Sequence, residues 1–161
     1  MHIGHGWDLN ENTKLANLNL SKFNCFIFKR CKGEVIAALA EKLLYLGSVV
    51  VLEALVARRA VRFAVELGLS SSIIEGDSEG VYRALQNSDW HHSSIGEIVK
   101  DIVSIAGSSR TFSFSHTRRQ GNNAAHALAK RAIVSFPLLV WMEHVPPDVS
   151  PFVVADLLFD E

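Results

Sequence analysis

Residues 53–77 read EALVARRAVRFAVELGLSSSIIEGD, and this stretch decides the class of fold. Its first part continues a helical pattern predicted over 48–67. At 100° per residue Arg58, Arg59, Arg62 and Glu66 fall within about 100° of one another, a solvated stripe. Gly68 is expected to stop the helix as its C′ residue. Ser71–Glu75 carries the β-branched Ile73 and Ile74 and reads as a strand. Asp77-Ser78-Glu79 then opens a further helix over roughly 79–87. A helix–strand–helix succession with a carboxylate where the strand ends points to an α/β protein.

The elements on either side extend that reading. Upstream, Phe23–Phe28 is an aromatic-rich strand. The charged turn 29–34, which contains Gly33, leads into a second apolar run, Val35–Ala40, so the two form a hairpin. Residues 1–22 are weakly patterned, with Leu18 and Leu20 alternating against Asn. Downstream, Ile95, Ile98, Val99, Ile102 and Ile105 predict a helix over 95–106. Arg110–His116 places Phe112 and Phe114 on one parity and reads as a strand. Residues 123–135 form an Ala-rich helix that stops before Pro137. The last segment, 137–161, is expected to be a packed extension with a short helix near 151–158. The order predicts a mixed sheet of about five strands with helices on its faces, in a domain over 1–136 followed by that extension.

Composition narrows the class. The 161 residues are 48% hydrophobic and 20% charged, which suits one globular domain. Sixteen Lys and Arg against seventeen Asp and Glu give a net charge of −1. Binding of nucleic acid by bulk charge is therefore excluded, and any phosphate contact must be local. Two cysteines, Cys25 and Cys31, exclude a disulfide scaffold and a four-cysteine zinc site. Residues 1–14 lack the apolar core of a signal peptide, and no apolar run approaches the ~18 residues of a membrane span. The default expectation is a soluble intracellular monomer with no membrane partner.

Several residues could carry chemistry. With Glu53 set at 0° on its helix, Arg62 lies at about 180°, while Ala57, Ala60, Ala64 and Leu67 lie within about 40°. Glu53 thus sits on the face opposite the charges, where a carboxylate needs a partner or a metal. The simpler alternative is a Glu near the helix start that favours the dipole. Asp77, at a strand's carboxyl end, lies where ligands gather in open α/β sheets. It could equally be an N-cap, as could Ser78. His116 ends a strand and His126 follows ten residues later in the last helix; either could be an ordinary structural residue. Arg118 and Arg119 form a small cationic patch suited to phosphate or simply to solvent. Asn122 and Asn123 are good N-cap types. No glycine-rich phosphate loop, zinc spacing or nucleophile elbow occurs.

Four segments, taken in order, carry a resemblance. They are Glu34-Val-Ile-Ala-Ala-Leu-Ala, Glu53-Ala-Leu-Val-Ala-Arg-Arg-Ala, Glu75-Gly-Asp-Ser and Ser115-His-Thr-Arg-Arg-Gln-Gly-Asn-Asn-Ala-Ala-His-Ala-Leu-Ala. Together they resemble the plant reverse-transcriptase-like branch of type 1 ribonuclease H domains over about 23–136. The resemblance implies a five-stranded mixed sheet whose first three strands are antiparallel. It also implies hydrolysis of the RNA strand of RNA–DNA hybrids with two Mg²⁺ ions, Mn²⁺ being a substitute. Glu53 and Asp77 match two of the four acidic metal ligands. His116 matches a histidine that assists water or product movement, and Asn122 a substrate-contacting polar residue. Arg118 and Arg119 would approach the nucleic-acid backbone.

Two positions depart from that pattern. Setting residues 9–13 on the family's first strand puts Asn12 where an Asp should bridge both metals. A competing first strand, Leu15–Leu20, has no carboxylate at all. The fourth acidic position falls on His126. An Asn offers one neutral carbonyl, and imidazole suits softer metals than Mg²⁺. The expectation is a ribonuclease H-like nucleic-acid-binding domain with impaired cleavage, or a non-catalytic module binding RNA or RNA–DNA hybrid.

Overall fold

The computed structural model describes residues 13–20, 23–30, 34–42, 47–76, 78–87, 93–107, 111–116, 123–132 and 138–156. Strands β1 (Thr13–Leu20), β2 (Phe23–Arg30) and β3 (Val35–Lys42) form an antiparallel meander. Helix α1 (Val49–Glu66) crosses to β4 (Ser71–Gly76), which runs parallel to β1. Helices α2 (Glu79–Gln86) and α3 (Gly96–Gly107) return the chain to β5 (Thr111–His116), parallel to β4. Helix α4 (Asn123–Ala132), strand β6 (Leu138–Met142) and helix α5 (Ser150–Asp156) complete the chain. The sheet order is β5-β4-β1-β2-β3-β6.

The expected mixed sheet is present, and the C-terminal extension adds to it. Strand β6 pairs antiparallel with β3, Ala37 opposite Met142 and Leu39 opposite Val140, so it is a sixth strand. The composition of 137–161, with its four prolines, does not suggest this strand. The expected short helix nearby is α5.

Side-chain alternation splits the core in two. On one face Phe28, Leu39 and Ile74 pack beneath α1 and α3 through Val56, Ala57, Ala60, Phe63, Val99 and Ile102. On the other, Ile27, Ala38 and Ala40 lie beneath α4 and the C-terminal segment through Leu128, Ala129, Val145, Val149 and Val153. The alanines of α1 let it sit close: Ala54, Ala60 and Ala64 are completely buried. Gly68 adopts φ 75°, the left-handed conformation expected at C′. Its N–H donates to the Val65 carbonyl (2.9 Å), and the Leu69 N–H to that of Ala64 (3.0 Å), which closes the helix.

Two of the three arginines of the α1 stripe are taken up by ion pairs within the chain. Arg58 meets Asp101 at 3.0 Å, and Arg59 meets Glu41 at 3.2 Å and Glu66 at 3.3 Å while lying over the Phe63 ring. Arg62 is exposed as expected.

Candidate functional site

Strand direction gathers the site. Strands β4 and β5 run parallel and in register, with Gly76 opposite His116, so both end at the same edge of the sheet. Such carboxyl ends are where open α/β sheets receive ligands. Helix α1 passes over this edge with Glu53 half-buried on its underside. Helix α1 begins at Val49, so its first turn holds no acidic residue and Glu53 is not a dipole-favouring terminal group.

The partner of Glu53 is Ser78. The Ser78 hydroxyl donates to Glu53 Oε2 at 2.5 Å and accepts from the Val81 N–H at 3.4 Å. Ser78 is therefore the N-cap of α2, which settles the choice that the sequence left between Asp77 and Ser78. A single serine starts α2 and holds the α1 carboxylate against it. Helix α2 then presents Ser78, Val81, Tyr82 and Leu85, at i, i+3, i+4 and i+7, to a small pocket. Glu53, Ile74, Phe114 and Ser115 are among the residues that line the rest of it, so the pocket combines apolar side chains with one carboxylate and three hydroxyls. His116 stands exposed at the end of β5, its ring centroid 6.2 Å from that of Tyr82. The sequence offers Ser78 only as a possible N-cap and does not single out Tyr82. The available signal was their one-turn spacing behind a strand terminus.

His126 lies elsewhere. It lines a groove between α4 and α5 rather than the pocket that holds Glu53. Asn12, Asp77, Arg118, Arg119 and Asn122 lie outside the described residues. For Asp77, the flanking residues Gly76 and Ser78 are the last residue of β4 and the serine bonded to Glu53.

The first strand is the competing one. Strand β1 begins at Thr13, covers Leu15–Leu20, and contains no Asp or Glu. Thr13 pairs with Ser72 near the start of β4, whereas Ala16 pairs with Glu75 near its end. The residue of β1 that follows the last of these pairs, toward Gly76, is thus Asn17. Two Mg²⁺ ions need several oxygen ligands and normally a shared carboxylate. Among the described residues no three Asp, Glu, His or Cys side chains stand close enough to hold a metal ion. Asp77 is not among those residues, so the described donors alone do not make up the set that a pair of Mg²⁺ ions needs.

The N-terminal amides of α4 are capped from a distance. Asp156 of α5, completely buried, accepts from the Asn123 N–H (3.1 Å), the Asn123 side-chain amide (3.1 Å) and the Ala124 N–H (2.8 Å).

The geometry has counterparts among solved structures. Ribonuclease H1 from the halophilic archaeon Halobacterium salinarum superposes with a TM-score of 0.62 at 16% identity, covering 77% of this chain and 97% of that one. The N-terminal ribonuclease H domain of a Mycobacterium tuberculosis protein, solved as a fusion with maltose-binding protein, superposes with a TM-score of 0.54 at 14% identity. It covers 78% of this chain and 95% of that one. At such identities the likeness establishes the fold. No curated protein matches the sequence significantly. A family model described as reverse transcriptase-like matches residues 17–132, from within β1 to the end of α4 and most of the chain. The match leaves out Asn12, in keeping with the strand register. The chain therefore belongs to the reverse-transcriptase-like family and carries its ribonuclease H-like fold.

Proposed function

We propose that the chain is a ribonuclease H-like module that binds RNA–DNA hybrid or RNA and cleaves it weakly or not at all. The observation that carries this reading is β1: the strand paired between β4 and β2 holds no carboxylate anywhere along Thr13–Leu20. In this reading Glu53 and Asp77 are what remains of a ligand set. Two carboxylates supply −2 against the +4 of two Mg²⁺ ions, and neither comes from the strand that should bridge them. His126 does not compensate, since it lines a different groove. Mn²⁺, which accepts nitrogen more readily, is the metal under which residual cleavage should appear first.

Binding needs less than cleavage. The rim formed by Glu53, Ser78, Ser115 and His116 receives the nucleic acid, and Arg118, Arg119 and Asn122 supply backbone contacts. With a net charge of −1 those contacts are local, so affinity falls steeply with salt.

The test uses one labelled RNA–DNA hybrid. Binding is followed by fluorescence anisotropy with EDTA present, and cleavage on gels with Mg²⁺ and then Mn²⁺. The expected result is salt-sensitive binding with cleavage absent in Mg²⁺. Robust Mg²⁺-dependent cleavage, abolished by Asp77→Asn, would show an intact enzyme and overturn the proposal.

A further inference from the structure

A second surface lies on the opposite face of the sheet. Helices α4 and α5 are clamped at both ends. At one end Asp156 grips the first amides of α4, and at the other Arg131 pairs with Asp148 at 2.6 Å, just before α5. Between the clamps, Leu128 and Ala124 pack against Val149 and Val153 in the core. The outer sides of the two helices leave a groove of about 700 Å³, lined by Asn123, His126, Ala127, Lys130, Arg131, Asp148 and Phe152. That volume falls within the roughly 300–1,000 Å³ of sites that engulf a ligand of nucleotide size.

Its chemistry is specific. His126 and Lys130 are one turn apart on α4 and share a face, with Lys130 exposed. Across from them Phe152 is 43% exposed, although its neighbours Val149 and Val153 are buried. A partly exposed aromatic ring on a clamped helix, sharing one groove with the cationic Lys130, is a combination that suits single-stranded nucleic acid. Bases stack on the ring and the backbone lies along the positive charge. A duplex, whose bases are already stacked on one another, has no use for that ring.

We propose that the α4–α5 groove binds a single-stranded nucleic-acid segment, one base stacking on Phe152 and a phosphate meeting Lys130. This deepens the binding reading above and rests on it only in taking the tail to continue from nucleic acid held at the Glu53 edge. An acidic peptide would use Lys130 but would gain nothing from the aromatic face.

The experiment compares three labelled probes by anisotropy: a blunt RNA–DNA hybrid, the same hybrid with a single-stranded RNA or DNA tail, and the tail alone. The tailed hybrid should bind more tightly than the blunt one. Phe152→Leu, which keeps an apolar side chain and removes the ring, should erase at least about fivefold of that gain, and Phe152→Tyr should retain it. Lys130→Ala should lower the salt slope for the tailed probe by about one, while the control Lys100→Ala on α3 should not change it. Thermal melting of each variant checks folding. A tail that adds no affinity, an unchanged Phe152→Leu, or competition by poly-glutamate as effective as that by the oligonucleotide would overturn the groove. If the blunt hybrid fails to bind while the tail alone binds through Phe152, the groove stands and the reading of the Glu53 edge falls.

Discussion

Two carboxylates, Glu53 and Asp156, anchor the two faces of this sheet and do opposite work. Asp156 is completely buried and accepts three N–H bonds, two from the backbone of α4. Glu53 is half-buried, accepts from the Ser78 hydroxyl, and stands on the rim of a pocket. An anion saturated by amides at a helix N-terminus stabilises the fold. An anion held by one hydroxyl at the edge of a sheet stays accessible to whatever binds there. The comparison teaches that burial and donor count separate structural acids from ligand-facing ones where residue type and helical position do not.

Breaking the Asp156 side should have the largest effect. Asp156→Ala leaves buried helix amides without acceptors, a loss of about 3 kcal/mol. The melting temperature should fall by roughly 6–12 °C for a chain of this size. Asp156→Asn, which keeps one acceptor oxygen, should fall less. Glu53→Gln should scarcely move the melting temperature while altering metal or hybrid binding. A large destabilisation by Glu53→Gln would erase the distinction between the two acids.

Next comes the first strand. Asn17 follows Ala16, the partner of Glu75 near the end of β4, so Asn17→Asp should raise Mg²⁺-dependent hybrid cleavage by at least about tenfold, or 1.4 kcal/mol of transition-state stabilisation. Asn12→Asp should do nothing, because Thr13 already pairs with the far end of β4. Gel assays on the two variants side by side separate the alternatives. A rise for Asn12→Asp alone would show that the strand register does not govern the site.

Ser78→Ala removes both the cap of α2 and the hydrogen bond to Glu53. Urea unfolding should show a cost of about 1 kcal/mol, with metal or hybrid binding also altered because Glu53 loses its orientation. Smallest of all, Arg58→Ala breaks the solvent-facing pair with Asp101 and should cost less than about 1 kcal/mol. A larger loss would mean that the α1–α3 contact depends on that pair.

Much of this architecture was legible from local pattern. The stripe of α1, its stop at Gly68, the alternation of Phe112 and Phe114, and Ser78 as a possible cap all follow from spacing within a few residues. The candidate site was legible at Glu53, because a carboxylate among alanines opposite an arginine stripe demands a partner, although the identity of that partner was not. The first strand was harder. Its sequence, TKLANLNL, is held by β2 on one side and β4 on the other, and no local feature says which residues those neighbours will choose. Of residues 9–13, to which the motif aligns, only Thr13 lies among the described residues, as the first of β1.

By itself, then, the sequence determined the α/β class, the helix limits and the placing of Glu53, because helix period, capping and turn chemistry act over three to seven residues. Only the tertiary structure decided where β1 registers against β4, that β6 extends the sheet, and that Asp156 caps a helix beginning 33 residues earlier. The reason is physical. Strand partners and buried acceptors are chosen by which distant surfaces meet in the packed core, and a chain read in order contains no record of that meeting.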